Sequence, residues 1–312
     1  MAVTTSDRAV RQRVRSGVVC AVVSASSFAA SGPLARGVLD AGWSSAAVVS
    51  VRVLVGAVAL APIAVRQLRG YWRMLRRNAS LISAYGLIAV AGTQLAYFNA
   101  VARMNVGVAL LIQFASPIAV VAWLWLRHRQ RPGVATLVGG TIGLAGLVLV
   151  IDPHPGLATS WSGIAWALLS MAGGAAYFLL SARAGGTLPG TVPAAGGLLV
   201  GGLILLVAGA IGVVPLHATT GPVVFQNFTT SWWVPVLVLG TVTAALAYVS
   251  GIAATRLIGS RLASFTALLE VPAALAFIWV LLGEAPRVIQ LLGGALILAG
   301  VVVVRRGENG DH

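Results

Sequence analysis

The chain contains two nearly identical stretches: residues 132–150 read PGVATLVGGTIGLAGLVLV, and residues 286–304 read PRVIQLLGGALILAGVVVV. They align without a gap at an offset of 154 residues, with 10 of 19 positions identical. A second similarity, at an offset of 146 residues, pairs Ser24 near the N-terminus with Ser170 in the middle of the chain. Because self-similarity on this scale is typical of a duplicated unit, we interpret the chain as two copies of one fold.

Composition indicates that these copies lie in lipid. Hydrophobic residues make up 58% of the chain, charged residues make up 9%, and the mean hydropathy is +0.94. An ordinary soluble domain carries about 25% charged residues, so a soluble fold of this size could not cover its surface. Apolar runs of roughly 18 residues or more, long enough to cross a bilayer, recur along the chain. The sequence therefore predicts an all-α, polytopic membrane protein.

The net charge of +14 is carried by arginine, since the chain has no lysine. The arginines stand in short clusters between apolar runs, which indicates membrane topology and argues against nucleic-acid binding. The single cysteine, Cys20, excludes an intrachain disulfide and a multi-cysteine metal site. Without a lysine the P-loop motif cannot be completed, so direct ATP hydrolysis is not expected. We expect no cofactor, no metal and no required protein partner.

Breaks between the apolar runs predict ten membrane helices joined mostly by short connections. Their predicted ranges are residues 17–37, 44–65, 80–101, 106–126, 134–151, 162–182, 194–216, 232–255, 262–282 and 288–304. The longest predicted connection outside the bundle covers residues 217–231. The first helix follows a cluster of arginines, as a secretory signal does, but its internal copy beginning at Gly163 cannot be a cleaved signal. We therefore interpret the first helix as an uncleaved span.

Arginine placement orients the ten helices, because positively charged loops remain in the cytoplasm. Seventeen arginines fall on one set of alternate connections and tails, three fall on the opposite set, and Arg52 lies within a span. The three on the opposite side are Arg36, Arg103 and Arg287. Both tails, residues 1–15 and 305–312, are therefore predicted to be cytoplasmic, and the number of spans is predicted to be even.

Ten spans divide into two repeats of five, at residues 16–151 and 160–304. Because five is odd, the second repeat enters the membrane from the opposite side, and the copies are related by a pseudo-twofold axis in the membrane plane. Inverted repeats of this kind are typical of secondary transporters, in which a central site is exposed alternately to the two sides. We expect the shared glycine-rich tails to form common packing.

The tail LLGGALILAGVVVV at residues 291–304, preceded by LLGE at residues 281–284, resembles the EamA repeats of the drug/metabolite transporter superfamily. The resemblance extends from about residue 16 to residue 304 and includes both copies. It implies ten helices in two inverted repeats, a central cavity, and export of amino acids or other small metabolites across a bacterial inner membrane. The first copy departs from the pattern, with RHRQ at residues 127–130, so Glu284 has no counterpart.

Two ionisable residues fall well inside predicted spans. Arg52 is about eight residues into the second helix and Glu270 is about eight residues into the ninth, so each lies roughly 12 Å deep. Charges in a membrane are costly and usually face the bundle interior. One hypothesis is that Glu270 couples transport to protons or binds a substrate amine, while Arg52 tunes it or binds a carboxylate. The alternatives are a structural pair of the two residues, or an Arg52 side chain that extends outward to the interface.

Uncharged polar residues extend this candidate cavity. The third helix carries Gln94 and Tyr97 on one face, three residues apart. The fourth helix carries Gln113 and Ser116 with the same spacing. In an apolar span, polar side chains that share a face indicate either a cavity wall or a contact between helices.

Prolines predict kinks in three helices. Pro117 and Pro272 stand at nearly corresponding places in the two copies, and each leaves the carbonyl four residues before it without a helical donor. Broken helices at matching positions indicate the binding region of a transporter. At the same offset Ser116 stands opposite Glu270, and we expect the substrate or its coupling ion to be recognised where the copies differ in this way. Pro33 is the third predicted kink.

Two further sets of residues remain candidates of less specific type. Tyr177 in the sixth helix and Tyr248 in the eighth are candidate aromatics of the cavity wall. Ser24, Ser27 and Ser31 form one stripe of the first helix, at i, i+3 and i+7. Small residues on one helix face favour close helix packing over ligand binding, and we interpret the stripe in that way.

The sequence favours a secondary active transporter, an exporter of small metabolites with both termini in the cytoplasm, coupled to protons or to exchange. Its partners would be a small-molecule substrate and the lipid bilayer. A passive channel is an alternative, because inverted repeats do not exclude it. An intramembrane enzyme is a weaker alternative, since no histidine falls within a predicted span and no HExxH motif occurs.

Overall fold

In the residues that the computed structural model describes, the regular secondary structure is helical apart from one small β-hairpin. The structure describes residues 5–69, 72–101, 103, 109, 112–129, 131–151, 160–183, 188–283 and 285–310.

The first copy forms a series of helices whose breaks follow its polar residues and prolines. The α-helices are α1 (Thr5–Ala29), α2 (Ser31–Asp40), α3 (Ser45–Leu68), α4 (Trp72–Arg77), α5 (Ala79–Ala84), α6 (Thr93–Val101), α7 (Ser116–His128) and α8 (Val134–Ile151). A π-helical segment, Tyr85–Gly92, joins α5 to α6. Ser44 caps α3, because its hydroxyl accepts a hydrogen bond from the Ala47 amide at 3.3 Å.

The second copy forms a similar series. Its α-helices are α9 (Trp161–Arg183), α10 (Thr191–Ala210), α11 (Trp233–Gly240), α12 (Ala247–Ala267), α13 (Glu270–Leu282) and α14 (Val288–Gly310). A second π-helical segment, Thr241–Leu246, joins α11 to α12. The long connection predicted at residues 217–231 contains a hairpin in which β1 (Val223–Phe225) pairs antiparallel with β2 (Phe228–Thr230).

Helix lengths agree only in part with the predicted ten spans. In the described part of the chain, seven helices are long and apolar enough to cross a membrane, while Val134–Val150 and Glu270–Leu282 are shorter apolar helices. The predicted fourth span is broken at Ala115, and the predicted ninth is broken between α12 and α13. The eighth span and the start of the ninth form one run, Trp233–Ala267, interrupted at Gly259 with a φ of 79°. Helix lengths therefore do not settle the count of ten.

The two glycine-rich tails pack directly against each other as α8 and α14. A Cβ atom at Gly139 would lie 2.6 Å from the carbonyl oxygen of Gly300, and one at Gly146 would lie 2.5 Å from that of Gly293. At the 154-residue offset, Gly139 is equivalent to Gly293 and Gly146 to Gly300. The two contacts are therefore one contact made twice about a twofold axis. The prediction that the tails pack as common scaffold is confirmed, and the equivalent helices run in opposite directions.

A second pair of contacts follows the same symmetry. The Ser24 hydroxyl donates to the carbonyl of Ala247 at 2.8 Å, and the Ser170 hydroxyl donates to the carbonyl of Thr93 at 3.3 Å. Ser24 and Ser170 are equivalent at the 146-residue offset, and Thr93 and Ala247 are equivalent at the 154-residue offset. Each copy thus binds the other through one serine, so Ser24 has the packing role predicted for its stripe.

The acceptor carbonyls stand directly after the two π-helical segments, Tyr85–Gly92 and Thr241–Leu246. Both segments end at equivalent positions, because Gly92 and Leu246 are 154 residues apart. A π-helical turn alters the helical phase and the direction of the following carbonyls, and such turns are frequent at functional sites. The same local irregularity therefore occurs in both copies at their mutual contact.

The main apolar core runs along α3. Val53, Ala57, Leu60, Ala64 and Leu68 are all buried, and this cluster extends to α10 and α12. The candidate site lies beside the N-terminal half of the same helix.

Candidate substrate cavity

A cavity of about 140 Å³ lies between α2, the N-terminal half of α3, and α6. Its lining residues come from these three elements, and they are Ser31, Gly32, Ala35, Leu39, Ser45, Val48, Val49, Arg52, Gln94 and Tyr97. Of the residues predicted for the site, the structure brings Arg52, Gln94 and Tyr97 together around this one space.

Arg52 lies deepest along α3 among the residues that line the cavity. Its side chain is only 7% exposed, and Nη2 donates to the carbonyl of Thr243 at 2.7 Å. The guanidinium carbon lies 5.8 Å from the centre of the Phe28 ring, within cation–π range. Its Nε is buried and has no hydrogen-bond partner among the described residues. The guanidinium therefore gives the cavity a positive charge that the contacts with Thr243 and Phe28 hold in place.

Gln94 and Tyr97 occupy one wall of the cavity because they stand three residues apart on α6. Both side chains are partly buried. Their amide and hydroxyl groups supply donors and acceptors beside the guanidinium of Arg52. The wall is therefore polar where it belongs to α6, and it is formed by small or apolar side chains where it belongs to α2.

An aromatic cluster lies beside Arg52 and is connected to it through Phe28. The Phe28 ring contacts the Tyr248 ring at 5.2 Å between centres, and Tyr248 lies 5.7 Å from Tyr177 and 6.3 Å from Tyr85. Tyr177 and Tyr248 are buried and do not line the cavity. In this structure the two tyrosines predicted for the cavity wall therefore lie in the aromatic cluster, and Phe28 joins that cluster to Arg52.

The hydroxyl groups of this cluster lie close to one another inside the protein. The Tyr85 hydroxyl lies near those of Tyr177 and Ser181, and the Tyr177 hydroxyl also lies near that of Ser24. The cluster therefore combines packed aromatic rings with a group of buried hydroxyls.

Glu270 begins α13, directly after the break at Leu268 and Leu269. A carboxylate at this position interacts favourably with the helix dipole. Its side chain is partly exposed and makes no direct ion pair with Arg52, although the two charges are within electrostatic range. Tyr97 is also within electrostatic range of the carboxylate. Glu270 therefore stands near the cavity without lining it.

Gln113 and Ser116 lie outside this cavity, at the start of α7. The Gln113 Oε1 atom is buried without a hydrogen bond, and Ser116 is buried against Gly174 of α9. The three predicted kink prolines each follow an interruption of the helix. α2 begins two residues before Pro33, α7 begins one residue before Pro117, and α13 begins two residues before Pro272. Glu284 lies outside the described residues.

The sequence reasoning missed the wall that α2 contributes. The stripe of Ser24, Ser27 and Ser31 predicts packing alone, whereas the structure divides it: Ser24 contacts the other copy and Ser31 lines the cavity. Gly32 and Phe28 carry no polar group that would mark them in the sequence. A signal for Gly32 existed, because it directly precedes Pro33 at a predicted kink, where a helix commonly opens.

Residues 15–152 and residues 161–306 each match the sequence profile of the EamA-like transporter family. The chain belongs to the EamA-like transporter family. Both copies found in the sequence are thus EamA-like units, and the chain is a multi-pass membrane transporter.

Named relatives of this EamA-like chain are transporters. It is 28% identical over 237 residues to an uncharacterized inner membrane transporter, YicL, of Salmonella typhimurium, covering 73% of this chain and 74% of that protein. It is 27% identical over 299 residues to a probable terminal-alkyne amino-acid exporter of Streptantibioticus cattleyicolor, covering 91% and 92% of the two chains. An uncharacterized transporter of Archaeoglobus fulgidus is 26% identical over 270 residues, covering 86% of this chain and 90% of that one.

The fold of this EamA-like transporter also occurs in a solved crystal structure. The two chains superpose with a TM-score of 0.74 and 18% sequence identity, over 94% of this chain and 97% of the other. At that identity the likeness concerns the fold alone. The architecture is therefore shared, while the residues of the cavity must be interpreted on their own chemistry.

Proposed function

We propose that this EamA-like protein is a secondary active transporter that exports small metabolites such as amino acids by alternating access. The observation that carries the proposal is a cavity between α2, the N-terminal half of α3 and α6, with a nearly buried arginine as its deepest residue along α3. A cavity beside one end of a membrane helix suits a transporter in one of two access states.

The symmetry of the two copies supports alternation between such states. The crossing of α8 and α14 and the pair of inter-copy serine contacts are each made twice about one axis. If the two copies exchange conformations, the close packing moves to the side where the cavity now lies. We propose ten spans in two inverted five-helix repeats, residues 16–151 and 160–304.

The distribution of arginine supports a location in the inner membrane with both termini in the cytoplasm. In that orientation α3 runs inward from its N-terminus, so the cavity opens away from the cytoplasm. This would be the releasing state of an exporter. The packed C-terminal half of α3 would then form the closed cytoplasmic gate.

Arg52 supports an anionic or zwitterionic substrate. A nearly buried guanidinium that lines a cavity is best satisfied by a carboxylate, which neutralises its charge. Glu270 lies within electrostatic range and would interact with an ammonium group or carry the coupling proton. The relative described as a probable amino-acid exporter is consistent with a substrate that bears both charges.

Transport by purified protein in liposomes tests the proposal. We expect saturable uptake of labelled amino acids that is accelerated when the vesicles contain unlabelled substrate, and accumulation only when a pH gradient is imposed. Ohmic currents in planar bilayers, without saturation or exchange, would instead identify a passive channel. Chemical conversion of the labelled compound, followed by mass spectrometry, would identify an intramembrane enzyme.

A further inference from the structure

The glycine at position 32 differs from the other glycines of the membrane helices. Most of these glycines allow close helix packing. For example, a Cβ atom at Gly56 would lie 3.0 Å from the carbonyl oxygen of Gly240, the last residue of α11. At Gly32 no heavy atom lies within 4 Å of that position. Among the described residues, three other glycines have the same open space. They are Gly212, Gly221 and Gly259.

At two of those three positions the backbone conformation explains why glycine is present, and the third glycine lies in a loop. Gly212 and Gly259 have φ values of 75° and 79°, which favour glycine whatever the surrounding space. Gly221 lies in the connection before β1. Gly32 lies within α2 at a φ that any residue can adopt. Neither packing nor backbone geometry therefore explains a glycine at position 32.

Gly32 lines the cavity together with Ser31 and Ala35, at an exposed position of α2. The same cavity is lined by Arg52, which is only 7% exposed. A nearly buried charge beside a cavity indicates a ligand with an opposite charge. The cavity thus combines a charged group on α3 with a wall of minimal side chains on α2.

The volume limits what this space can hold. An engineered protein cavity of about 150 Å³ accommodates benzene, which has six non-hydrogen atoms. A cavity of about 140 Å³ therefore suits a ligand of similar bulk, the size of a small amino acid. In a cavity of this volume, a side chain at position 32 would take up a large part of the volume that the ligand occupies.

We propose that Gly32 sets the upper size limit of the substrate. The substrate's carboxylate binds at Arg52, and its side chain occupies the space over Gly32 and Ala35. Any side chain placed at position 32 then displaces the largest substrates first and the smallest last. This inference rests on the proposed transport function, because it assigns a specificity-determining residue to that same cavity.

A substitution series at position 32 tests the inference in proteoliposomes. Gly32→Ala, Gly32→Val and Gly32→Leu are compared with the wild type on alanine, valine, leucine and phenylalanine, each as a labelled substrate. The measured quantity is the transport efficiency for the largest transported substrate divided by that for alanine. We expect this ratio to fall about tenfold or more in Gly32→Val, and to fall progressively from Gly32→Ala to Gly32→Leu. Gly221→Val is the matched control, since it fills open space away from the cavity.

The outcomes separate the inference from the proposed function. An equal loss on all four substrates, or an unchanged ratio, would overturn the size role of Gly32. If the wild type transports none of the four, the proposed substrate class fails, and thiol labelling decides the inference. In a variant with Cys20 replaced by alanine, the thiol of Gly32→Cys should react with a membrane-impermeant thiol reagent. Small adducts at this thiol should lower the thermal unfolding midpoint less than large adducts do. An unreactive Gly32→Cys contradicts an open cavity at this position.

Discussion

Arg52 is the residue on which recognition of the substrate depends in our proposal. Arg52→Met keeps the length and the packing beside Phe28 but removes the charge, so we expect the protein to fold. In this variant the substrate carboxylate loses its positively charged partner. We expect the transport efficiency for carboxylate substrates to fall roughly thirtyfold or more, which corresponds to about 2 kcal/mol. Transport kinetics and thermal unfolding of the same preparation check this. Arg36→Met is the matched control, because Arg36 is exposed and paired with Asp40.

Arg52→Lys refines the same prediction. Lysine keeps the charge but lacks the planar guanidinium, so it cannot both bond to the Thr243 carbonyl and bind a carboxylate through two donors. We expect activity between those of the wild type and Arg52→Met. Wild-type activity in both variants would show that the charge is structural.

The role of the Glu270 carboxylate in proton coupling is tested by Glu270→Gln. The amide keeps the size of the side chain and removes the proton-binding site, so gradient-driven accumulation should be lost while exchange of substrate between two pools remains. Measuring both in one set of vesicles separates coupling from folding. Asp40→Asn is the control, since Asp40 is an exposed carboxylate at the end of α2. Normal accumulation with an unchanged pH dependence would remove the coupling role.

At the scale of elements, the π-helical segments and the two serines form one repeated contact between the copies. Ser24→Ala and Ser170→Ala each remove a single hydrogen bond to the opposite copy, worth about 1 kcal/mol. The effect should be smaller for Ser170, whose bond is longer, and the double variant should be additive because the sites are separate. Thermal unfolding in one detergent checks this. Ser264→Ala is the control, since the Ser264 hydroxyl donates to the carbonyl of Arg261 within its own helix, α12. Stability unchanged in both variants would argue against the repeated contact.

At the scale of the whole molecule, the crossing of α8 and α14 holds the two copies together. Gly293→Ala places a Cβ atom 2.6 Å from the carbonyl oxygen of Gly146, a backbone atom that cannot rotate away. Overpacking of this kind costs about 1–3 kcal/mol, more than alanine gains in helix propensity. The neighbouring Gly294→Ala meets only the Pro272 Cβ atom at 3.3 Å and should be close to neutral.

The twofold axis extends this prediction to four positions. Gly139, Gly146, Gly293 and Gly300 should show similar losses when changed to alanine, because they occupy two equivalent pairs. Unfolding midpoints of the four variants, measured in the same detergent, provide the comparison. A large loss at Gly294 with little loss at Gly293 would contradict the crossing geometry.

Much of the architecture could be predicted from local patterns. Apolar runs predict helices, the repeated tails predict a duplicated scaffold, and the spacing of Gln94 and Tyr97 predicts that both side chains share a face. All three features depend on residues close together in sequence or on direct similarity. Pro117 and Pro272 predict kinks close to the interruptions at Ala115 and at Leu268 and Leu269. The two π-helical segments were not predicted, because no local pattern in Tyr85–Gly92 or Thr241–Leu246 distinguishes them from α-helix.

The site was predicted only in part. Arg52, Gln94 and Tyr97 share the cavity, but Tyr177 and Tyr248 lie in the aromatic cluster beside it. From the sequence, a polar aromatic residue in a span could face a cavity or a neighbouring helix with equal ease. The rotation and tilt of each helix decide between these, and hydropathy does not encode either quantity.

The sequence by itself determined that the chain is a membrane protein made of two copies of one unit, because apolar length, charge and similarity are properties of the chain alone. Only the tertiary structure decided that Arg52 faces the small wall of α2, that Glu270 stands apart from it, and that equivalent serines and glycines join the copies. The reason is physical: these relations are distances between residues far apart in sequence, and such distances exist only after the helices have packed.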